Sequence, residues 1–465
     1  MTTLVWFRDD LRLADHPALA AGAEDPEGVV ALYVLDEESA GVRPLGGAAR
    51  WWLHGSLTQL AAALAERGIP LVLRRGPASQ VVPEIVAESG ATRVLWNRRY
   101  GDERHVDAAL KEALRGAGIA AHSSQGNVLF EPGTIRNGQG APYRVYSAFW
   151  RACLAHPAPA KPVAAPDRLV PAARQPSTED LADWGLRPTS PDWAEGLERR
   201  WSPGEAGASA QLDRFLSERV DAYAAGRDFP ARATGSELSP HLRWGEISPR
   251  QVWHRALEAE AEAEAEAEAA TAATNAATGA GSGADTGVFL SELGWREFAW
   301  HTAFRAPELH RRGLNSQFDA FPWRAAPGHE LDAWQRGETG FPLVDAGMRE
   351  LWATGFMHNR VRMVVASFLT KNLLIDWRIG EAWFWDTLVD ADAASNPFNW
   401  QWVAGCGADA APYFRIFNPL TQQQKFDRAG EYVERWAPDS LLTPEIVDVR
   451  ESRVRALAAY DQIKG

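Results

Sequence analysis

The chain has 465 residues, 46% of them hydrophobic, which is enough for two or three domains with sizeable cores. Two cysteines, Cys153 and Cys406, exclude a four-thiolate zinc or iron–sulfur centre and argue against a disulfide framework; both read as buried small hydrophobes. A formal charge of −13 speaks against binding nucleic acid through net charge alone, and the lack of a basic, apolar leader or any membrane-length apolar window makes cytoplasmic residence, away from the membrane, the expectation.

In chain order, residues 3–7 (TLVWF), 29–35 (VVALYVL), 69–73 (IPLVL), 93–96 (RVLW) and 119–122 read as short buried strands. Segments with helical periodicity separate them at 48–67, 77–89 and 102–117. Strand and helix in alternation predict an α/β domain over 1–130, built on a parallel doubly wound sheet. No GxGxxG follows the first strand, so an ordinary dinucleotide site is not expected there. Residues 131–210 read as an inter-domain connector, because 157–204 is rich in Pro, Ala and Gly with weak periodicity. From 211 to 465, apolar residues recur at helical spacing, which predicts an all-α domain. Within it, six glutamates at alternate positions from Glu258 to Glu268 lead into TAATNAATGAGSGADTG. Like charges at i,i+4 and the lack of an apolar face predict a solvated helix end running into a disordered acidic insertion over 258–287.

The chemistry-bearing residues concentrate in the helical half. The chain holds 21 tryptophans, more than core filling asks for, since an indole brings a polar N–H that needs a partner; the excess points to aromatic ligands or electron transfer. In FLSELGWREF (289–298), Glu292 and Trp295 share a helix face with Arg296 beside them. In MHNRVRM (357–363), Asn359, Arg362 and Met363 share another, with Arg360 turned away. An indole stacks on a flat base, a carboxylate or amide reads its edge, and an arginine takes phosphate; a core helix with a salt bridge gives the same pattern. The run TGSELSPHLRWGEIS (234–248) sets hydroxyls and a glycine ahead of a helix, as a pyrophosphate site or a simple cap does. Asp390 and Asp392 in LVDADAASN suit either the N–H groups of a flavin and its adenosine or helix capping; the EF-hand pattern is missing and no metal is expected. By spacing alone, Trp323, Trp377, Trp400, Trp402 and Tyr223 serve equally as a redox chain or as packing.

With WREF, TGFPLVDAGMREL (339–351), MHNRVRM and WQW…DAAPYFRIFNP in this order, after VWFRDDLRL at 5–13, the chain resembles the DNA photolyase/cryptochrome family over nearly its whole length, as far as NPLTQQQKF at 418–426. The resemblance implies a U-shaped FAD in the helical domain, with Tyr223, Gly235, Ser236, Glu237, Leu238 and Ser239 around its phosphates and ribityl chain and with Arg296 and Asn359 approaching it. Glu237 stands where many relatives have Arg. Arg362 is expected to pair with the segment Asp390, Ala391 and Asp392, whose aspartates face the flavin ring and adenosine. Asn396 matches the position beside flavin N5, and Trp400, Trp377 and Trp323 match a three-tryptophan route for photoreduction. Glu292 matches a carboxylate that hydrogen-bonds a cyclobutane pyrimidine dimer, Trp295 and Trp402 its aromatic walls, and Met363 a residue packed on it. Asn359, Arg360 and Gln422 complete the DNA-facing set.

The activity implied is that of a monomeric carbon–carbon lyase acting on UV-damaged DNA, most like class I or class III members. Reduced anionic FAD absorbs blue light, lends an electron to the flipped dimer and regains it after the two bonds split. Enzymes for the (6-4) photoproduct carry paired histidines where this chain reads His358-Asn359. A cryptochrome photoreceptor without repair activity is the main rival; a nicotinamide-dependent flavin oxidoreductase lacks its second fingerprint. An antenna chromophore, methenyltetrahydrofolate, is implied in the cleft between domains by WNRRYGDER (96–104), with the pair Trp51 and Trp52 able to stack a pterin.

Overall fold

The computed structural model describes residues 1–274, 282–324, 328–410 and 414–464. Strands β1 (Thr3–Phe7), β2 (Val29–Leu35), β3 (Leu71–Arg75), β4 (Arg93–Asn97) and β5 (Ala120–Ser124) form one parallel sheet in the order β3-β2-β1-β4-β5. Every position of β1 and β2 is buried, as strands covered on both faces require. Helices α1 (Pro17–Ala23), α2 (Gly47–Glu66), α3 (Ala78–Ser89) and α4 (Arg104–Gly116) are the covers. Alternation divides the work: Val5 and Phe7 pack with Trp52 and Leu53 of α2, while Leu4 and Trp6 pack with Val82 and Ile85 of α3. β3 starts two residues later than its hydrophobic run, because Pro70 has no N–H for the ladder. Strand order reverses between β1 and β4, so the crevice beyond their carboxyl ends is the switch point where such sheets place ligands.

The segment read as a surface connector is in fact anchored. The Val29 N–H bonds Val170 O, the Leu169 N–H bonds Arg67 O, and Leu169, Ala172, Trp184 and Leu186 are buried. Helix α5 (Tyr146–Ala155) lies within it and packs on the helix Ser282–Ala303. Among the described residues no strand follows β5, and no helix is long and apolar enough to cross a membrane. Part of the indole excess fills the cores: Trp6, Trp52, Trp96, Trp244 and Trp334 are fully buried.

The helix expected to end in the acidic tract runs through it to Thr274, and within the insertion expected to be disordered over 258–287 the chain is helical again from Ser282. Pro249–Thr274 and Ser282–Ala303 are helices packed against one another, and 275–281 lie outside the described residues. Alanine and glutamate are both strong helix formers, and an i,i+4 repulsion costs only about 0.2–0.5 kcal/mol. That repulsion is present all the same: the Glu260 carboxyl is raised by partial burial and by Glu264.

Buried polar contacts join the two halves. Asp15, at φ 49° and fully buried, takes Arg250 on both oxygens at 2.8 and 2.9 Å and Ser248 Oγ at 2.5 Å. Glu246 accepts from Trp52 Nε1, Ser56 Oγ and the Gly204 N–H.

Candidate functional site

Three segments converge where the helix Ser395–Ala404 begins. Arg362 grips Asp390 with both terminal nitrogens, at 3.1 and 2.8 Å, and Ser239 Oγ donates to the same carboxylate at 2.7 Å. Asp392 accepts from the Ala394 N–H at 2.9 Å, from the Ser395 N–H and from Ser395 Oγ. It therefore caps this helix, while Asp390 does not. Leu238 and Ala391, next in sequence to Ser239 and Asp390, are buried, and Tyr223 is buried against Phe215 and Phe289. Glu237, at φ 54°, turns its carboxylate to Arg200 at 2.9 Å. The carbonyls of Gly235 and Ser236 accept from Arg219 and Gln211. This loop is thus tied on its outer side to arginines and a glutamine from other elements, which leaves Ser239 as its contact to Asp390.

On the Ser395–Ala404 helix, Asn396 Nδ2 donates to Glu381 Oε1 at 2.9 Å and to Glu381 O at 3.1 Å. One turn later Trp400 is buried, with no partner for its Nε1 among the described residues. Its ring lies directly against Gly380, where a Cβ would collide with it. Trp400 meets Phe384 at 5.0 Å and Trp334 at 6.3 Å between ring centres. Trp377 is buried and Trp323 half-buried. Among the described residues no ring–ring contact joins Trp400, Trp377 and Trp323 to one another; Trp323 meets Phe321 at 4.3 Å. The helix is tied down at its far end by the buried Lys371, whose Nζ donates to Ala404 O at 2.5 Å and lies 3.3 Å from the Phe414 ring centre. Burial drives this amine well below its ordinary pKa.

The helix Ser282–Ala303 supplies the neighbouring wall. Trp295 stacks on Tyr146 at 3.7 Å and 12° and reaches Phe398, on the Asn396 helix, at 6.5 Å. Glu292 pairs with Arg227 at 2.7 Å; burial raises its carboxyl and Arg227 pulls it back. Asp228 holds Arg360 at 2.6 Å, and Arg360 in turn lies 3.6 Å from Met363 Sδ. Arg360 and Met363 thus share a face, as i,i+3 neighbours do, and it is Arg362 that points elsewhere, reversing the expectation from sequence. His358 caps their helix by accepting the Arg360 N–H at 3.2 Å through Nδ1, and burial holds its imidazole down to about 4. Asn359 is exposed, and Trp402 and Gln422 are half-buried, with Arg415 5.3 Å from the Trp402 ring centre. Of the motif DAAPYFRIFNP, residues 411–413 lie outside the described residues.

Arg296 faces another side of the helix than Trp295 does. Its Nη1 donates to Asn127 O at 2.7 Å, because one residue beyond Trp295 a helix has turned by about 100°. It lines a second space, a cleft of about 450 Å³ at the β1/β4 switch point, with Arg8, Asp9, Asn97, Glu103, Arg243 and Trp300. Glu103 Oε2 has no hydrogen-bond partner among the described residues, and burial raises its carboxyl. Trp52 is not available to stack a pterin: it is fully buried and hydrogen-bonded to Glu246.

Sequence reasoning missed Arg227, Tyr146, Trp334, Glu381 and Arg43. Arg227 stands four residues after Tyr223 and Glu381 four after Trp377, so helical spacing offered a signal for these two. Arg43 lies 338 residues from its partner, and no local pattern reveals it. The set suits a planar ring with a polar tail: a guanidinium–carboxylate pair, a serine hydroxyl, buried indole N–H groups without partners, and an amide oxygen, Asn396 Oδ1, that accepts no hydrogen bond from the described residues.

Comparison with known proteins agrees with this reading. Residues 3–167 match the family model described as DNA photolyase, and 289–445 match the FAD binding domain of DNA photolyase. A deoxyribodipyrimidine photo-lyase of Agrobacterium fabrum is 46% identical, with 99% of this chain and 98% of the relative covered. Cryptochrome-1 of Arabidopsis thaliana is 37% identical, and 94% of this chain spans 63% of that protein. The crystal structure of a class III photolyase from Agrobacterium tumefaciens superposes with a TM-score of 0.90 at 45% identity, covering 100% of this chain and 98% of the other. On the fold, the motifs and these relatives together, the chain belongs to the DNA photolyase/cryptochrome family.

Proposed function

We propose that the protein is a deoxyribodipyrimidine photo-lyase that repairs cyclobutane pyrimidine dimers in UV-damaged DNA under blue or near-ultraviolet light. The observation that carries this reading is the packing of the helix bearing Glu292 and Trp295 directly on the helix bearing Asn396, which sets the residues matched to the lesion beside the one matched to the flavin ring. FAD would be held by the Arg362–Asp390 pair, Ser239, Tyr223, the 235–238 loop and Asp392, with Asn396 at the ring. When bound, it supplies the light-excited electron donor. The chain's own residues do the rest. Trp295 and Trp402 offer flat apolar faces to an extruded dimer, and Arg360 and Gln422 contact the DNA backbone. Extruding a damaged, poorly stacked pair costs on the order of a few kcal/mol, less than for normal bases. Glu292, held in place by Arg227, stands to hydrogen-bond the dimer. Trp400, Trp377 and Trp323 carry electrons inward during photoreduction. The protein works as a cytoplasmic monomer. The cleft at the switch point takes the antenna, for which we favour methenyltetrahydrofolate: the free carboxylate oxygen of Glu103 suits the N–H edge of a pterin.

The test is an absorption spectrum of the purified protein followed by a thymine-dimer repair assay in light and in darkness. Oxidised-FAD bands with repair only in light are expected, and a further near-ultraviolet band reports the antenna. FAD without repair overturns this reading in favour of a photoreceptor.

A further inference from the structure

Arg43 stands between β2 and α2, yet its partner lies in the helical half. Nη1 and Nη2 meet the two carboxylate oxygens of Glu381 at 2.7 and 3.0 Å, and the guanidinium lies 4.2 Å from the ring centre of Trp385. Trp385 Nε1 donates to Pro44 O at 2.9 Å, and the Gly47 N–H donates to Asp386 at 2.8 Å. At Gly46 a Cβ would collide with the backbone of Trp385 and Asp386. Segment 43–47 is therefore seated on the helix Trp377–Thr387 at backbone contact. Glu381, 2% exposed, passes this constraint on, since its Oε1 and its own carbonyl both accept from Asn396 Nδ2. A carboxylate paired with a guanidinium and a peptide carbonyl are acceptors only. Asn396 must turn its NH2 toward them, and Oδ1 is the end left for a ligand.

We propose that Arg43 and Glu381 are positioning residues for the flavin: they fix the Asn396 amide with its oxygen toward the ring, so that the α/β half helps set the balance between oxidised and reduced cofactor. The proposal rests on the FAD reading above. A ring nitrogen that gains a hydrogen on reduction is matched by an acceptor, whereas an amide free to turn offers its NH2 to the oxidised ring equally well. Loss of one such oriented hydrogen bond changes the reduced-to-oxidised ratio by about fivefold.

The test uses the purified holoprotein and the variants R43Q, E381Q, N396A and E381Q/N396A. Flavin bound per chain, read from the visible band, checks the underlying reading, and a parent chain without flavin overturns that. With flavin bound, the reduced-to-oxidised ratio is read at a fixed ambient potential in a dye-mediated titration. R43Q and E381Q are expected to lower it about fivefold, and E381Q to add nothing in the N396A background. R43K, which keeps the charge but loses the two-pronged geometry, should shift the ratio in the same direction and serves if R43Q does not fold. A ratio unmoved by these variants, or moved equally by E381Q with and without Asn396, overturns the proposal and leaves flavin binding intact.

Discussion

Glu297 is fully buried, with one oxygen accepting the Phe130 N–H at 3.2 Å and the other 3.7 Å from Arg296 Nη1, without a hydrogen bond from the described residues. Burial pushes its carboxyl up to about 7, against the pull of Arg296 and of backbone N–H groups. A carboxyl raised above its unfolded value of 4.5 binds its proton more tightly when folded. Its contribution to stability is complete below that value and is lost as pH rises through 7. Glu297→Gln keeps an acceptor and removes the ionisation, so its stability relative to the parent should increase by about 2 kcal/mol between pH 5 and pH 8, read from urea unfolding at the two pH values. An unchanged difference would count against a raised carboxyl. The comparison must be with the parent because His301, His310 and His358, each held down to about 4 by burial, act in the opposite sense and destabilise the fold as pH falls below about 6.5. The motif WREF marks Glu297 in the sequence, but its partner at Phe130 is 167 residues away, so its protonation was not legible there.

At the scale of elements, Gly380 decides how closely the helices Trp377–Thr387 and Ser395–Ala404 approach. A Cβ at this position would run into the Trp400 ring and Leu369. Gly380→Ala should cost about 1–3 kcal/mol by overpacking and slow photoreduction of bound flavin by displacing Trp400; denaturant unfolding and flash-induced absorbance measure the two effects. Unchanged stability and unchanged photoreduction would show that the helices can spread freely. The five strands were legible because parallel strands buried on both faces are plain apolar runs. The acidic tract was legible as a helix end, but not how far the helix continues, since alanine and glutamate carry it further than their repulsions suggest. In the site, Arg362 and Asp390 were brought together on paper only by family resemblance. The partners that Arg296 and Arg360 find within the chain were not legible, since a choice between neighbouring helix faces depends on what packs against each face.

For the whole molecule, the junction of the halves is polar and buried, and no periodicity signals it. Asp15 and Arg250 are both buried, so Arg250→Ala breaks a two-pronged buried pair, leaving Asp15 the neighbouring Arg12 as counter-charge, and should cost about 3 kcal/mol. With Glu246 and Glu381 bridging the halves as well, calorimetry of the parent holoprotein should show one cooperative transition. Two well-separated transitions would mean that the halves melt independently. The same pairing has a consequence in time. Arg250 follows Asp15 by 235 residues, so at about 5–20 residues per second the ribosome delivers it roughly 10–50 s later. For that interval the aspartate lacks its two-pronged partner, and the buried pair can form only after translation has passed well into the helical half.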